Sequence, residues 1–136
     1  KCYIIGFGSD EELIRTKIKQ WNMEKRVILL GKKDNPYPYI KNADVFGLFS
    51  YFEGYGIVID EAKMLQKYVI ITDTAAREAL KDYKKYSYIV SNDEKGIIEA
   101  FRYIENKGKQ IGKTHIDYEY KNEEIINKIT EIIERK

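Results

Sequence analysis

Cysteine and histidine are almost missing from this sequence, with Cys2 and His115 the only examples. One cysteine excludes an internal disulfide and a cysteine-built zinc site, and it suits a reducing compartment. One histidine argues against a His-centred metal site or a catalytic triad, and His115 itself reads as an exposed loop residue. No apolar run approaches the length of a membrane span, and no secretory signal opens the chain. A basic block is absent too. The 24 basic and 22 acidic residues are mixed along the chain and leave a net charge of +2, so composition makes no case for nucleic acid. Internal repeats and low-complexity segments are also lacking.

What is present fits one soluble, globular domain of 136 residues, 43% hydrophobic and 34% charged, long enough to bury a core. Short apolar runs alternate with amphipathic stretches, which argues for parallel strands joined by crossover helices. Strands are expected at 2–6, 27–30, 45–49, 68–72 and 88–90. Ser9 followed by Glu12 is a capping-box signal for a helix burying Leu13, Ile14, Ile18 and Trp21. Asn35-Pro36 starts a short helix ending near Asn42. Further helices are expected over 57–66 and through Arg77 to Leu80. Asp93 caps one that buries Ile97, Ile98, Phe101 and Ile104. A last helix carries Ile125, Ile126, Ile129, Ile132 and Ile133, after an irregular stretch at 107–118. The fold class is α/β, a Rossmann-like parallel sheet of about five strands flanked by helices.

The stretch that carries chemistry is Ser50-Tyr51-Phe52-Glu53-Gly54-Tyr55-Gly56-Ile57-Val58-Ile59-Asp60-Glu61-Ala62. It follows a strand and enters a helix, the place where open α/β sheets bind ligands. Gly54 and Gly56 let the backbone turn sharply and approach a ligand closely. The helix start near Ile57 offers unpaired N–H groups and a positive dipole end, suited to a diphosphate. Glu53 lies before the helix and Glu61 eight positions later, and a carboxylate accepts two hydroxyls side by side. Phosphate between hydroxyl-binding carboxylates describes a nucleotide-sugar. Taken singly, each glutamate is more often a solvated surface residue than a ligand. Gly6-Phe7-Gly8 begins a dinucleotide fingerprint but has Glu11 where the third glycine belongs, which argues against a nicotinamide site. Glu78 reads either as a site acid or as half of a surface salt bridge, and Lys32-Lys33 as a polar turn or a phosphate contact.

The run from Asn35 to Asp73 resembles the donor-binding core of the family four retaining glycosyltransferases, which have the GT-B architecture. Ser50, Glu53, Gly54, Tyr55, Gly56, Glu61 and Ala62 match its glutamate, seven residues, glutamate hallmark. Asn35-Pro36-Tyr37-Pro38-Tyr39 and Asn42-Ala43-Asp44-Val45 are similar to the stretch found in capsule and O-antigen enzymes. Gly6-Phe7-Gly8 and Val27-Ile28-Leu29-Leu30-Gly31 fit as well. The resemblance implies that Glu53 touches the donor sugar near the reacting carbon and acts as the catalytic residue. It implies that Glu61 holds the ribose, that amides around Gly54, Tyr55, Gly56 and Ile57 receive the distal phosphate, and that Gly6, Gly8, Gly31 and Lys32 belong to the donor site, the last two near the base. A UDP-linked donor is expected in preference to a GDP-linked one, with no metal and no further cofactor. The acceptor is expected to be a glycan or a lipid-linked glycan in surface polysaccharide synthesis. Two departures stand out. Gln66-Lys67-Tyr68 replaces the family's Gly-x-Pro, which implies altered packing. The family's diphosphate-binding Arg and Lys, an adjoining strand beside 45–49 and the N-terminal acceptor domain have no counterpart in 1–136, which also opens without Met. Residues 1–136 are therefore expected to be an N-terminally truncated nucleotide-sugar-binding domain, inactive alone. The full enzyme is expected in the cytoplasm, with room for peripheral association at the inner membrane face. The rival reading is a non-catalytic Rossmann-like nucleotide-binding or protein-interaction module.

Overall fold

The β-branched and aromatic runs form five strands: β1 (Cys2–Ile5), β2 (Val27–Gly31), β3 (Val45–Leu48), β4 (Tyr68–Thr72) and β5 (Ser87–Val90). Between and after them lie helices α1 (Glu11–Gln20), α2 (Tyr37–Asn42), α3 (Ile57–Met64) and α4 (Glu94–Ile111), with 3-10 turns at Ala75–Leu80 and Lys84–Tyr86. This computed structural model describes residues 1–119 and Asn127, so the expected isoleucine-rich last helix lies outside the described residues. All strand pairings are parallel, as the alternation with helices predicts. They fall into a pair, β1-β2, and a trio in the order β3-β4-β5. Among the described residues β3 is paired only with β4. The chain divides into two units, Lys1–Pro36 and the part from Tyr37 onward.

In the first unit α1 connects β1 to β2. Asp10, not Ser9, is its N-cap residue, and no side chain caps it; the Ser9 hydroxyl bonds the Asp10 carboxylate instead, so the expected capping box does not form. The expected buried side is also corrected. Leu13, Ile14 and Trp21 are exposed and Ile18 is half-buried, and no residue of 1–36 reaches full burial, since the sheet in this unit is only two strands wide. The helix ends through Asn22 at φ 52°, with Met23 N–H bonding the Ile18 carbonyl. Asparagine tolerates that left-handed position better than most residues.

The second unit is three layers. Side chains alternate across a strand, so Val69 and Ile71 face one side of β4 and Ile70 the other. The Val69 and Ile71 side packs with Tyr37, Ile40, Ile59, Ala62, Ala76 and Leu80. The Ile70 side packs with Val90 and Ala100, flanked by Phe49, Tyr103 and Ile104. Helix α4 runs on to Ile111, so the stretch expected to be irregular from 107 is helical for its first five residues. Its Ile98 and Phe101 are exposed, correcting half of the expected apolar face, while Ile97 and Ile104 are half-buried and Ala100 is wholly buried against the sheet. The Asp93 side chain caps α4 by accepting the Gly96 N–H at 2.8 Å, as expected.

Two backbone positions have measurable consequences. A Cβ on Gly96 would stand 1.9 Å from the Ser91 carbonyl oxygen. Replacing an exposed helical glycine with alanine gains up to about 1 kcal/mol, but this clash reverses the sign. Gly96→Ala is expected to lower stability by about 3 kcal/mol in thermal or urea unfolding, and a neutral result would show that the 91–93 turn shifts freely. Gln66 has φ 54° directly after α3, while Lys67 N–H bonds the Ala62 carbonyl at 2.9 Å. The turn expected to differ in packing is thus a glycine-type helix end built without glycine. Gln66→Gly relieves about 1–2 kcal/mol of left-handed strain and loses part of that to chain entropy. A net gain of about 0.5–1 kcal/mol is expected in the same unfolding assay.

Candidate functional site

The loop after β3 is held at its start by polar side chains from β4 and from just past β5. Thr72, buried at the end of β4, donates its hydroxyl to the Ser50 carbonyl at 2.7 Å and accepts the Ser50 N–H at 3.1 Å. Asn92, just past β5, donates to the Tyr51 carbonyl at 2.8 Å. The loop is therefore anchored through Ser50 and Tyr51 at the C-terminal ends of the parallel strands. Tyr51 and Phe52 are 79% and 90% exposed, so the loop presents two aromatic rings to its surroundings.

Gly56 ends the loop as the left-handed N-cap of α3, at φ 70° and ψ 64°. It is buried, and a Cβ there would lie 3.0 Å from Ile59 and 3.2 Å from Ala76. The expected sharp turn is thus located at Gly56. Gly54 has open space around it and no left-handed φ, so the fold places no such demand there. Past Gly56 the first intrahelical bond runs from Ile59 N–H to the Gly56 carbonyl. The N–H groups at the start of the helix consequently have no helical partner and point out along the positive end of the dipole.

Glu61 is half-buried one turn into α3, and the hydroxyl of Tyr37 donates to its Oε1 at 3.1 Å. Burial raises the Glu61 pKa above its ordinary value, and the Tyr37 hydrogen bond opposes that rise. Burial and the Glu61 carboxylate together push the Tyr37 phenol up to about 12, so it stays a donor. Tyr37 went unmarked as a site residue because it lies 24 positions upstream. The only local signal was its place in the Asn35-Pro36-Tyr37 run. Glu53 is half-buried and has no hydrogen bond or ion pair among the described residues. Glu78 forms an exposed ion pair with Lys81, the surface salt bridge of the two readings considered.

The first unit holds a second group of candidate residues. Gly6 N–H bonds the Gly31 carbonyl at 3.1 Å, and both glycines have left-handed φ, 145° and 67°. A cleft of about 300 Å³ is bordered by Ile4, Gly6, Gly8, Ile14, Leu29 and Gly31. Lys32 is exposed with its Nζ 5.6 Å from the centre of the Phe7 ring. His115 is exposed, as expected.

A parallel strand ending in an anchored loop, a glycine-turned helix start and a buried-edge glutamate has counterparts among known proteins. Residues 1–134 match the family described as Glycosyl transferases group 1. This chain belongs to that family. Over 84 residues, 60% of this chain, the group 1 domain is 36% identical to a Campylobacter jejuni N-acetylgalactosamine-N,N'-diacetylbacillosaminyl-diphospho-undecaprenol 4-alpha-N-acetylgalactosaminyltransferase. Over 82 residues, 59% of the chain, it is 34% identical to an uncharacterized glycosyltransferase of Methanocaldococcus jannaschii. These matches span 23% and 20% of the two relatives. Among solved structures, the chain is similar to TarM (TM-score 0.67, 21% identity, 97% of this chain and 28% of that one). It is also similar to the apo form of the lipopolysaccharide outer core galactosyltransferase WaaB (TM-score 0.64, 23% identity, 96% and 39%). The α/β fold with parallel strands is that of GT-B glycosyltransferases, as the resemblance implied.

The Glu61 environment predicts a pH signature for this glycosyltransferase domain. A carboxyl whose pKa is raised on folding binds its proton more tightly in the native state, so its ionisation opposes folding as pH rises through the carboxylate range. Glu61→Gln keeps an acceptor for Tyr37 and removes the charge. It is expected to raise the melting temperature at neutral pH, with the gain vanishing below the ordinary glutamate pKa. An equal gain at every pH would place the benefit in packing and not in charge.

Proposed function

We propose that the chain is the donor-binding domain of a retaining hexosyl-type transferase. It holds a UDP-linked sugar in preference to a GDP-linked one while the sugar passes to a glycan or lipid-linked acceptor in surface polysaccharide synthesis. The observation that carries this reading is the anion-binding start of α3 with Glu61, oriented by Tyr37, one turn away. A diphosphate meets the free N–H groups at Gly56 and Ile57, and the second Glu61 oxygen takes the ribose diol. Glu53, uncommitted in the anchored loop, meets the donor sugar near its reacting carbon. Within the first unit, Gly6, Gly8 and Gly31 border a cleft whose lining includes Phe7, and Lys32 lies over the Phe7 ring.

The chemistry then follows charge. As the bond from the anomeric carbon to the diphosphate breaks, negative charge collects on the distal phosphate and positive charge on the sugar ring. Helix-end N–H groups stabilise the first without reorganising, and the Glu53 carboxylate favours the second. The acceptor oxygen bonds the carbon on the face the diphosphate leaves, which retains configuration, and its proton passes to the departing phosphate. In this reading no metal is required. The undecaprenol diphosphate in the name of the Campylobacter jejuni relative supports a lipid-linked acceptor, and so a cytoplasmic enzyme working at the inner membrane face.

The test uses the full-length gene product with labelled UDP- and GDP-sugars, and reads the anomeric configuration of the product by NMR. Glu61→Ala removes two charge-assisted hydrogen bonds of about 1.5–3 kcal/mol each and should weaken donor binding about 100-fold or more. Glu53→Ala should lower kcat by a similar factor with little change in donor affinity. Full transfer by both variants defeats the assignment. Nucleotide binding that never leads to transfer would make the chain a non-catalytic binding module.

A further inference from the structure

The loop that carries Glu53 turns most of its apolar side chains outward. Along residues 51–58, Tyr51, Phe52, Tyr55, Ile57 and Val58 are all exposed, and Phe52, at 90%, is the most exposed large hydrophobic residue among the described residues. A single apolar side chain in water is ordinary. Here the backbone that bears the rings is tied down. Thr72 holds both backbone groups of Ser50, Asn92 holds the Tyr51 carbonyl, and Gly56, where the loop runs into α3, is buried. Rings left in water add no burial to the fold, and a contiguous apolar patch on a fixed backbone has the form of a preorganised recognition surface.

Charge and position narrow what that surface recognises. Residues 42–62 contain no lysine or arginine, and Arg77, just past β4, is paired with Asp73 at 2.7 Å. Anionic lipid head groups are held by clustered basic side chains, and this loop has none. Phe52 is joined directly to Glu53 by a trans peptide, so their Cα atoms are about 3.8 Å apart and the ring stays within a side chain's length of Glu53. In the reading above, the reacting carbon of the donor sugar lies at Glu53, and the accepting hydroxyl arrives there attached to its own ring. A pyranose suits an exposed aromatic ring: its C–H groups stack on the ring face, while its hydroxyls stay in water or reach a carboxylate. We propose that Phe52 is a specificity-determining residue on which the accepting sugar of an uncharged glycan stacks, presenting its hydroxyl beside Glu53. The inference rests on the nucleotide-sugar reading and adds to it an acceptor subsite on the same loop.

The experiment uses the full-length enzyme, with methyl pyranosides of glucose, galactose and their 2-acetamido forms as acceptor probes. Saturation-transfer NMR reads pyranoside binding and a transfer assay reads KM, in wild type, Phe52→Leu and Phe52→Tyr. At least one pyranoside should bind the wild type through its C–H protons. Phe52→Leu should raise the KM for that sugar about tenfold, as expected for the loss of one covered aromatic contact, and Phe52→Tyr should restore it. Affinity for UDP or GDP and the melting temperature should not change. No pyranoside bound by the wild type, or a leucine that serves as well as phenylalanine, overturns the proposal. So does a lower melting temperature in Phe52→Leu, which would put the ring against the rest of the polypeptide. Loss of binding to phosphatidylglycerol–phosphatidylethanolamine vesicles with an unchanged KM would make Phe52 a lipid contact instead. Glu61→Ala runs alongside. If it leaves donor binding intact, the nucleotide-sugar reading itself fails; if it weakens donor binding while Phe52→Leu leaves the acceptor KM unchanged, only the acceptor subsite is lost.

Discussion

The geometry of the second unit turns on the backbone of one residue. At Gly56 the chain adopts a left-handed conformation while packed against Ile59 and Ala76, where a side chain would have almost no room. That turn sets the direction in which α3 leaves the loop. Through α3 it sets the depth of Ile59 and Ala62 in the core, the reach of Glu61 toward Tyr37, and the burial of Asp60 and Lys63. Interiors pack too densely for such an element to slide by an ångström without cost, so the loop and the core beneath it share one constraint.

On α3 apolar residues and charged residues held out of water are neighbours. Ile59 and Ala62 supply apolar burial, worth about 1.5–3 kcal/mol for a side chain the size of isoleucine. Asp60, Glu61 and Lys63 pull the other way, since each keeps a charged group wholly or partly out of water. Such groups are poor contributors to stability and good ones to recognition, because a carboxylate already stripped of water and fixed in direction binds hydroxyls without reorganising. Tyr37 matters for that reason: its phenol fixes Glu61 and, being far from ionisation, remains a donor.

The two units differ in how their apolar surface is disposed. In the second, β4 is covered on both faces and Val69, Ile70 and Ile71 are wholly buried, as strands in parallel sheets are. In the first, the strands are half-buried at most, and Phe7, Leu13 and Trp21 lie open. The same βαβ connectivity therefore yields a core in one place and an exposed apolar surface in the other. The difference lies in the layers stacked against each sheet.

Much of this was legible in the residues alone, and the reason is locality. Strand and helix positions follow from apolar period and from signals within a few residues, such as Asp93 ahead of Gly96, and all five strands lie within one residue of expectation. The glycine loop with Glu53 and Glu61 is likewise a contiguous motif that advertises its chemistry. Where the expectation failed, the missing information was distant in sequence. Leu13, Trp21 and Phe101 have the period of buried faces, but burial depends on which layer covers a helix, and no local pattern states that. Tyr37 beside Glu61, Thr72 clamping Ser50 and Lys63 bridging Asp60 to Asp82 join residues 19–24 positions apart or tie side chains into a buried cluster. The sequence by itself determined the α/β class, the family and the chemical types at the loop. Only the tertiary structure decided which glycine bears the turn, which phenol holds the glutamate and which carboxylates flank Lys63, because those outcomes arise from close packing of segments that the chain brings together only on folding.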